Sequence, residues 1–413
     1  MDLKKYYALM IVLSIVVPPG LLQAKVLDSK PIYTAGISEK TNRAIEKINT
    51  TYSDITELIT IGKSAKEGTE IKAIRLGKGD KNILINGGHH GREALTTILV
   101  LDQLDYLAEA YTNNETINGY NVRALLNTVS IWFVPLLNPD GADLAMSTLP
   151  SWKANGRGVD LNRNYPTLYA TVKLSKAPGA KGYPGTAPFS ETETQALRDL
   201  CYEKDFQAAI AYHSAGQVIY WWYHQTGKAY AKSAELAGIL SQMTGYALVP
   251  PSESTGGLGF TDWFIQEFDR ASFTLEIGKT VNQKPLKWGE YQEIWEKNKN
   301  IPLQLAAEVI RLNKRPWETT IDDQSIRGEL LFGSAVVPVR DVSKIMDLSY
   351  SYDAIAKTVT ISKADQTLIF TLNAKEALHN NDQVTLPVPA YQENGTSYVP
   401  LRTVLELFSV VSI

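Results

Sequence analysis

Four short apolar runs, far apart in the chain, constrain the fold more than any other feature. They are Ile83-Leu84-Ile85-Asn86, Val129-Ser130-Ile131-Trp132-Phe133-Val134-Pro135, Ala208 to Tyr212, and Phe273-Thr274-Leu275-Glu276-Ile277. Runs this short and this apolar read as buried strands. The stretches between them have helical character: Leu95 to Leu107 repeats apolar residues at i, i+3 and i+4. Strands alternating with helices give an α/β fold. In open α/β sheets ligands gather at the carboxyl ends of the strands, so segments distant in sequence can meet at one site.

A chain of 413 residues exceeds one typical domain, and 44% hydrophobic with 21% charged residues is the composition of a globular protein with a sizeable core. The net charge of -3 supplies no basic surface to neutralise phosphates, so nucleic acid is not an expected partner. The N-terminus reads Met1-Asp2-Leu3-Lys4-Lys5, then an apolar stretch to Val17, then Pro18-Pro19-Gly20 and Leu22-Gln23-Ala24. A basic start, a short apolar core and a small residue describe a signal peptide over residues 1–24, which predicts secretion and no membrane span after cleavage near Ala24. Cys201 is the single cysteine, which rules out an intrachain disulfide.

Glu290 to Leu312 reads as closing helical structure, kinked or split at Pro302, and Lys314-Arg315-Pro316 as a linker. Beyond Thr320 the texture turns to short β-type runs such as Thr367 to Leu372. Val337-Pro338-Val339-Arg340-Asp341-Val342 and Val399-Pro400-Leu401-Arg402-Thr403-Val404 form a weak repeat, each leading into a short helical pattern. The division expected is a catalytic unit over 25–316 and a small α+β domain over 317–413.

The chemistry begins at Gly88-His89-His90-Gly91-Arg92-Glu93. A histidine and a glutamate three apart, between a strand and a helix, can point into one volume and suit zinc, although His-x-x-Glu is common by chance and, taken alone, reads better as a surface pair. His213 follows the Ala208–Tyr212 run and would stand at the end of a core strand. A hydrogen-bonded core histidine is the bland alternative. With only 5 histidines in the chain, finding them at these positions carries weight. Two histidines and a glutamate leave a fourth position for water, the arrangement of a hydrolytic zinc. Glu276 sits between apolar residues on its run; taken alone it reads as a glutamate on the solvent face of an edge strand, and beside a zinc site it is the candidate general base. Asp160-Leu161-Asn162-Arg163-Asn164 alternates polar residues. Asp160 can orient a zinc-bound histidine from behind, while Asn162 and Arg163 offer donors to a substrate carboxylate. An Asn- and Asp-rich turn explains that composition, but not the arginine.

Together these elements resemble the M14 zinc carboxypeptidase family in identity, order and spacing. The matching pieces are His90-x-x-Glu93, Asn138-Pro139-Asp140-Gly141, Asp160 to Asn164, His213-Ser214, Gly256-Gly257 ahead of Asp262-Trp263, and Phe273 to Glu276, spanning roughly Tyr33 to Leu312. The resemblance implies an α/β/α sandwich around a mixed, mostly parallel eight-stranded sheet, with one zinc at His90, Glu93 and His213 and with Glu276 as base. Digestive members have a Trp-Arg-Lys-Asn-Arg run whose first arginine polarises the scissile carbonyl. Here the run is Trp152-Lys153-Ala154-Asn155-Gly156-Arg157, with Arg157 the candidate for that role and Lys153 the reserve. The tyrosine that members carry four residues before the Gly-Gly pair is Ser252.

Trp152 to Asn155 leading to Gly158–Asn162, Tyr183 to Glu191, and Asp262-Trp263-Phe264 look most like bacterial γ-D-glutamyl-L-diamino acid peptidases, which cut the peptide stems of peptidoglycan. Arg163 would then hold a carboxylate of diaminopimelate, and Thr261 speaks against a trypsin-like basic preference. The C-terminal segment resembles the copper amine oxidase N-terminal-like domain of secreted proteins from Gram-positive bacteria, without a visible copper site, its only histidine being His379. The resemblance therefore predicts a secreted or wall-associated zinc metallopeptidase acting on cell-wall peptides. A metallocarboxypeptidase on ordinary peptides, a zinc deacylase and a non-catalytic wall-binding protein are the alternatives.

Overall fold

The computed structural model describes residues 27–170, 173–253, 256–279 and 285–408, so the expected leader lies outside the described residues. Eight strands form the large sheet: β1 (Thr56–Lys63), β2 (Glu70–Leu76), β3 (Lys81–Asn86), β4 (Val129–Val134), β5 (Phe206–Ser214), β6 (Val218–Tyr220), β7 (Ala247–Leu248) and β8 (Ser272–Ile277). Their order in space is β1-β2-β4-β3-β5-β8-β6-β7. The central strands β4, β3, β5 and β8 are mutually parallel, and β2 and β6 flank them antiparallel. Those four central strands are the four apolar runs. β4 is buried along its whole length, which only a strand covered on both faces can be.

Successive side chains of a strand point to opposite faces, and two cores follow. On one face Ile83, Ile85, Phe133, Ile210, Tyr212, Phe273 and Leu275 meet the helices Ile37–Thr51, Ala94–Thr112 and Ile301–Asn313. On the other, Leu84, Trp132, Val134, Ala209 and Ala211 meet Leu197 and Leu200 of helix Thr192–Lys204 and Phe260, Trp263 and Phe264 of helix Phe260–Phe268. This is the expected three-layer sandwich. Truncating one fully buried ring such as Phe133 to alanine costs about 3–5 kcal/mol.

Helix Ala94–Thr112 carries the chain from β3 to β4 on one side, whereas β5 pairs with the other side of β3. The connections diverge there, and a crevice opens at the carboxyl ends of β3 and β5. Glu276 on β8 is in register with His213 on β5. Both therefore project onto the face of Ala209 and Ala211, towards helix Phe260–Phe268.

The C-terminal part holds two five-stranded antiparallel sheets and the helices Val339–Ile345 and Leu401–Phe408. The internal repeat pairs with itself: Val337 stands opposite Val399, and each copy turns from a strand into a helix. The closing helix is split as expected, into Tyr291–Asn298 and Ile301–Asn313, with Pro302 in the first turn of the second piece, where its missing N–H costs nothing. The expected linker is not one. Lys314-Arg315-Pro316 opens strand Lys314–Ile321, which continues helix Ile301–Asn313 directly. That strand is at a sheet edge, where a proline is tolerated. The two parts meet at the amino ends of β3 and β4. Lys375 pairs with Asp80, Asn127 Nδ2 donates to the Asn373 carbonyl at 2.8 Å, and the Lys81 ammonium lies 5.9 Å from the Phe332 ring centre.

Candidate active site

β3 ends at Asn86, and the turn that follows passes through Gly88 with φ +65°. His90 and Glu93 lie in the loop before helix Ala94–Thr112, with Glu93 at its N-cap position. The loop is clamped from behind. A Cβ at Gly91 would stand 2.2 Å from the Gly141 carbonyl oxygen, so only glycine fits. Asn138 caps helix Pro139–Ser147 by accepting from the Gly141 N–H at 2.9 Å, and its amide donates to the His89 carbonyl at 3.0 Å and the Ala154 carbonyl at 3.1 Å. One buried asparagine thus joins the His90 loop to the turn that carries Lys153.

His90, Glu93 and His213 are all buried, and their ligand atoms lie within 4.8 Å of one another. His90 Nδ1 is 2.8 Å from Glu93 Oε1, His213 Nδ1 is 3.0 Å from Glu93 Oε2, and the two Nδ1 atoms are 3.1 Å apart. Two imidazole lone pairs and a carboxylate crowd one point, and a single shared proton cannot satisfy all three. Tetrahedral zinc with N and O ligands needs edges of about 3.3 Å, so the donor set fits this ion. Burial alone would keep Glu93 neutral, but the two histidines outweigh it and hold its carboxyl below the ordinary range. His213 is pushed down by burial. Glu93 is thereby held as the carboxylate, and His213 towards the neutral ring, that metal binding requires.

Asp160 stands behind His90, with Oδ1 3.2 Å from His90 Nε2. Its other oxygen accepts from the Gly182 N–H at 3.0 Å and lies 3.4 Å from Lys153 Nζ. Burial opposes the charge on Asp160, and Lys153 followed by His90 overcomes it, so its carboxyl sits well below its usual range. Glu276 is the one residue of β8 that keeps partial exposure, although its carboxyl is itself largely enclosed. Burial of its carboxyl, and then Glu93, push it up to about 8, against the pull of Lys153, Arg92 and Arg163. Asn162 is partly exposed and accepts from the Phe260 N–H at 2.9 Å, which ties the Asp160–Asn164 turn to helix Phe260–Phe268. Arg163 is partly exposed too, with Nη1 donating to the Asn162 carbonyl at 2.6 Å.

Arg157 is not brought to this cluster. Its side chain is 51% exposed and turns to Glu191 at 3.7 Å, while of the two candidates it is Lys153 that lies beside Asp160, at 3.4 Å, and whose charge also acts on Glu276. Asn155 is the cause: its side-chain oxygen accepts from the N–H groups of Arg157 and Val159, its amide donates to Glu191 at 2.8 Å, and this turn sends residues 153 and 157 in different directions. The reserve candidate, Lys153, occupies the place expected of Arg157.

Three further groups have no role assigned from the sequence, although Arg92 and Asp262 stand within quoted motifs. Arg92 acts on Glu276 from inside the His-x-x-Glu loop. Tyr220, 45% exposed, stands opposite Thr274 across the β6–β8 pair, on the same face as Glu276. Asp262 accepts from the Gly257 N–H at 2.8 Å, and burial pushes its carboxyl up to about 6. Its neighbour Thr261 shares a hydroxyl hydrogen bond of 2.7 Å with Thr274. Of the Trp221–His224 run, Trp221 and Tyr223 are buried and Trp222 borders a cavity with Tyr220, Ser252 and Asp262.

Residues 41–301 match the zinc carboxypeptidase family, which is more than half of the chain. The chain belongs to that family. It is accordingly a zinc metallopeptidase, and residues 329–411 match the copper amine oxidase N-terminal domain. Among characterised relatives of this zinc carboxypeptidase family member, γ-D-glutamyl-L-diamino acid endopeptidase 1 of Lysinibacillus sphaericus is 30% identical over 61% of this chain and 67% of its own length. An uncharacterised protein of Bacillus subtilis, YqgT, is 29% identical over 54% of this chain and 64% of its own. Carboxypeptidase B of Astacus astacus is 28% identical over 45% and 62%. The chain thus spans about two thirds of the length of these relatives. Thrombin-activatable fibrinolysis inhibitor shares the fold, with a TM-score of 0.59 at 22% identity, over 71% of this chain and 82% of that one.

Proposed function

We propose that the chain hydrolyses γ-D-glutamyl-diamino acid bonds in cell-wall peptides, with zinc held by His90, Glu93 and His213. A bound zinc ion supplies Lewis acidity and brings the pKa of a coordinated water to about 7. Everything else falls to the chain's own side chains. Glu276, across the register from His213, takes a proton from the attacking solvent and returns it to the leaving nitrogen. Burial raises its carboxyl, and positive charge nearby brings it back towards neutral pH, where it can do both. Lys153, set by the Asn155 turn and paired with Asp160, lends positive charge to the oxygen of the scissile carbonyl. Asp160 fixes the ring of His90. Asn162 and Arg163 hold a substrate carboxylate, the guanidinium through parallel hydrogen bonds.

The observation that carries this reading is the convergence of three buried ligand residues from β5 and the β3 loop beside the Glu276 carboxylate on β8. The substrate class is supported by the likeness to the Lysinibacillus enzyme. Secretion and wall association extend the reading to the leader-like N-terminus and the 317–413 domain. An exo-acting carboxypeptidase on ordinary peptides is the second reading, favoured by Arg163, which suits any C-terminal carboxylate. Purified zinc-loaded protein, given γ-D-glutamyl-diaminopimelate peptides and hippuryl amino acids with product identification by mass spectrometry, tests the two. Cleavage of hippuryl substrates alone refutes the first, and no cleavage of either refutes both.

A further inference from the structure

Where the two parts of the chain meet, at the amino ends of β3 and β4, they leave a cleft at the end of the sheet opposite to the zinc ligands. Its main cavity, of about 320 Å³, is lined by Lys81 at the start of β3, Gln207 near the start of β5, Asn313, Lys314 and Arg315 where helix Ile301–Asn313 turns into a strand, and Phe332 of the C-terminal part. That volume falls in the range of small-ligand sites, about 300–1,000 Å³. A second cavity, of about 190 Å³, shares Lys81 and Phe332 with the first and adds a wall of Pro387, Val388 and Pro389. Joined at one ring, the two make an elongated cleft.

The main cavity is lined by three cations and no carboxylate. Lys314 is neutralised by Glu329 and Glu393, each at 3.0 Å, and Lys375 in the second cavity by Asp80. Lys81 and Arg315 are left over. Among the described residues neither has an ion-pair partner, and the Lys81 ammonium stands 5.9 Å from the centre of the Phe332 ring. The net charge of -3 conceals this local surplus, and a cleft lined by one sign of charge concentrates the other. Phe332 and Gly333 form the two-residue turn between strands Gln324–Leu331 and Ser334–Pro338, with φ +49° and +86°. Such turns favour Asn, Asp and Gly, and those at 322–323 and 380–381 hold Asp-Asp and Asn-Asn. A phenylalanine in the left-handed region is strained, and strain of this kind gathers where a side chain is needed.

We propose that this cleft is a second binding site, for a glycan that carries carboxylates. Lys81 and Arg315 take the carboxylates, while the Phe332 ring and the Pro387–Pro389 wall take the C–H faces of the sugar rings. The amide nitrogens of Gln207 and Asn313 already donate to the Asp205 and Val309 carbonyls, so their side-chain oxygens are left to accept from sugar hydroxyls. A polymer of phosphates alone would use the two cations and leave the wall and the amide oxygens idle. The choice of occupant rests on the cell-wall reading, because the peptide stems of peptidoglycan are borne on a glycan of this chemistry. Cleft and zinc ligands lie at opposite ends of β3, so a glycan held here leaves the crevice open.

The test is calorimetric titration of the zinc-loaded full chain with three probes. They are a stem-free tetrasaccharide of alternating N-acetylglucosamine and N-acetylmuramic acid with free lactyl carboxylates, uncharged N-acetylchitotetraose, and poly(glycerol phosphate). The wild type should bind the acidic tetrasaccharide about 10- to 100-fold more tightly than the neutral one, the worth of a charge-assisted hydrogen bond. Lys81→Met combined with Arg315→Met should bring that ratio below about 3-fold, and Phe332→Leu should weaken both sugars about 3- to 10-fold and keep the ratio. Each ratio is taken within one protein, so partial misfolding cancels. Equal affinity of the wild type for the two tetrasaccharides, no binding of the acidic one at millimolar concentration, or binding of poly(glycerol phosphate) as tight as that of the glycan overturns the proposal. So does an unchanged ratio in the double variant. Hydrolysis of a soluble γ-D-glutamyl-diaminopimelate peptide, followed alongside, should stay within about twofold of wild type in the double variant. Failure of the wild type to cleave that peptide strikes the proposed function, while the titrations still decide the cleft.

Discussion

Replacing Lys153 by methionine separates the two cations that the Trp152–Arg157 run offers. The ammonium lies 3.4 Å from Asp160, and the side chains are 16% and 2% exposed. At an effective dielectric constant of 20, unit charges at that separation attract by roughly 5 kcal/mol. Removing the lysine leaves a buried carboxylate with His90 and, more weakly, Arg163 as its remaining ionisable partners, and buried charges stripped of a close partner cost about 3–5 kcal/mol. Loss of a donor to the developing oxyanion lowers kcat a further 10²–10³-fold, by roughly 3–4 kcal/mol. Lys153→Met should therefore lose stability and kcat together. The double variant Lys153→Met with Asp160→Asn should regain most of the stability and none of the rate. Arg157→Met removes a half-exposed guanidinium 3.7 Å from a Glu191 that Asn155 and Ser190 still hold. It should cost less than about 1 kcal/mol and leave kcat within about threefold. Steady-state kinetics, urea unfolding and zinc content on the four proteins decide it. The reasoning is refuted if Arg157→Met loses a hundredfold in kcat while Lys153→Met stays within tenfold of wild type.

Glu276→Gln should retain zinc and substrate binding while kcat falls by at least about 10³, since it removes a proton carrier and no ligand; loss of the metal in this variant would contradict its placement outside the ligand set. Asn138→Ala should weaken zinc affinity about 10- to 100-fold, read by competition with a chelator, because the His90 loop loses its tie to the Lys153 turn; an unchanged affinity would show the loop to be self-supporting. Burial pushes Glu193 from 4.5 up to about 7. The folded chain holds that proton more tightly than the unfolded one, so this contribution to stability is whole below pH 4.5 and is lost as pH rises through 7, roughly 3 kcal/mol in all. Glu193→Gln keeps an acceptor for the Ala65 N–H and should gain on wild type between pH 5 and pH 8 in urea unfolding; a pH-independent difference would count against it.

The parts of the fold visible in the sequence were those where burial leaves no choice of residue. β3, β4, β5 and β8 announce themselves as apolar runs because both their faces are covered. β1 is partly exposed along its length, and β1 and β2 carry Glu57, Lys63, Glu70, Lys72 and Arg75, so no clean period marked them. Strand Lys314–Ile321 was hidden by its proline, which an edge position permits. At the site, His90, Glu93 and His213 could be brought together on paper because strand order and the ends of strands limit where they can go. Which of Lys153 and Arg157 faces inward is decided by hydrogen bonds of Asn155 to Glu191, a partner 36 residues away, and local spacing holds no trace of that. Tyr220 carries no motif of its own, and Asp262 stands in one without a role. Their meeting depends on β6 returning antiparallel beside β8.

Because the 317–413 unit is seated where β3 and β4 begin, and the zinc ligands gather where β3 ends, the six residues of β3 set a rise of about 20 Å between that seat and the reaction centre. The chain passes between the two without a free hinge, as helix Ile301–Asn313 runs straight into a strand. A substrate bound at the zinc ligands therefore lies at that stand-off from the distal unit.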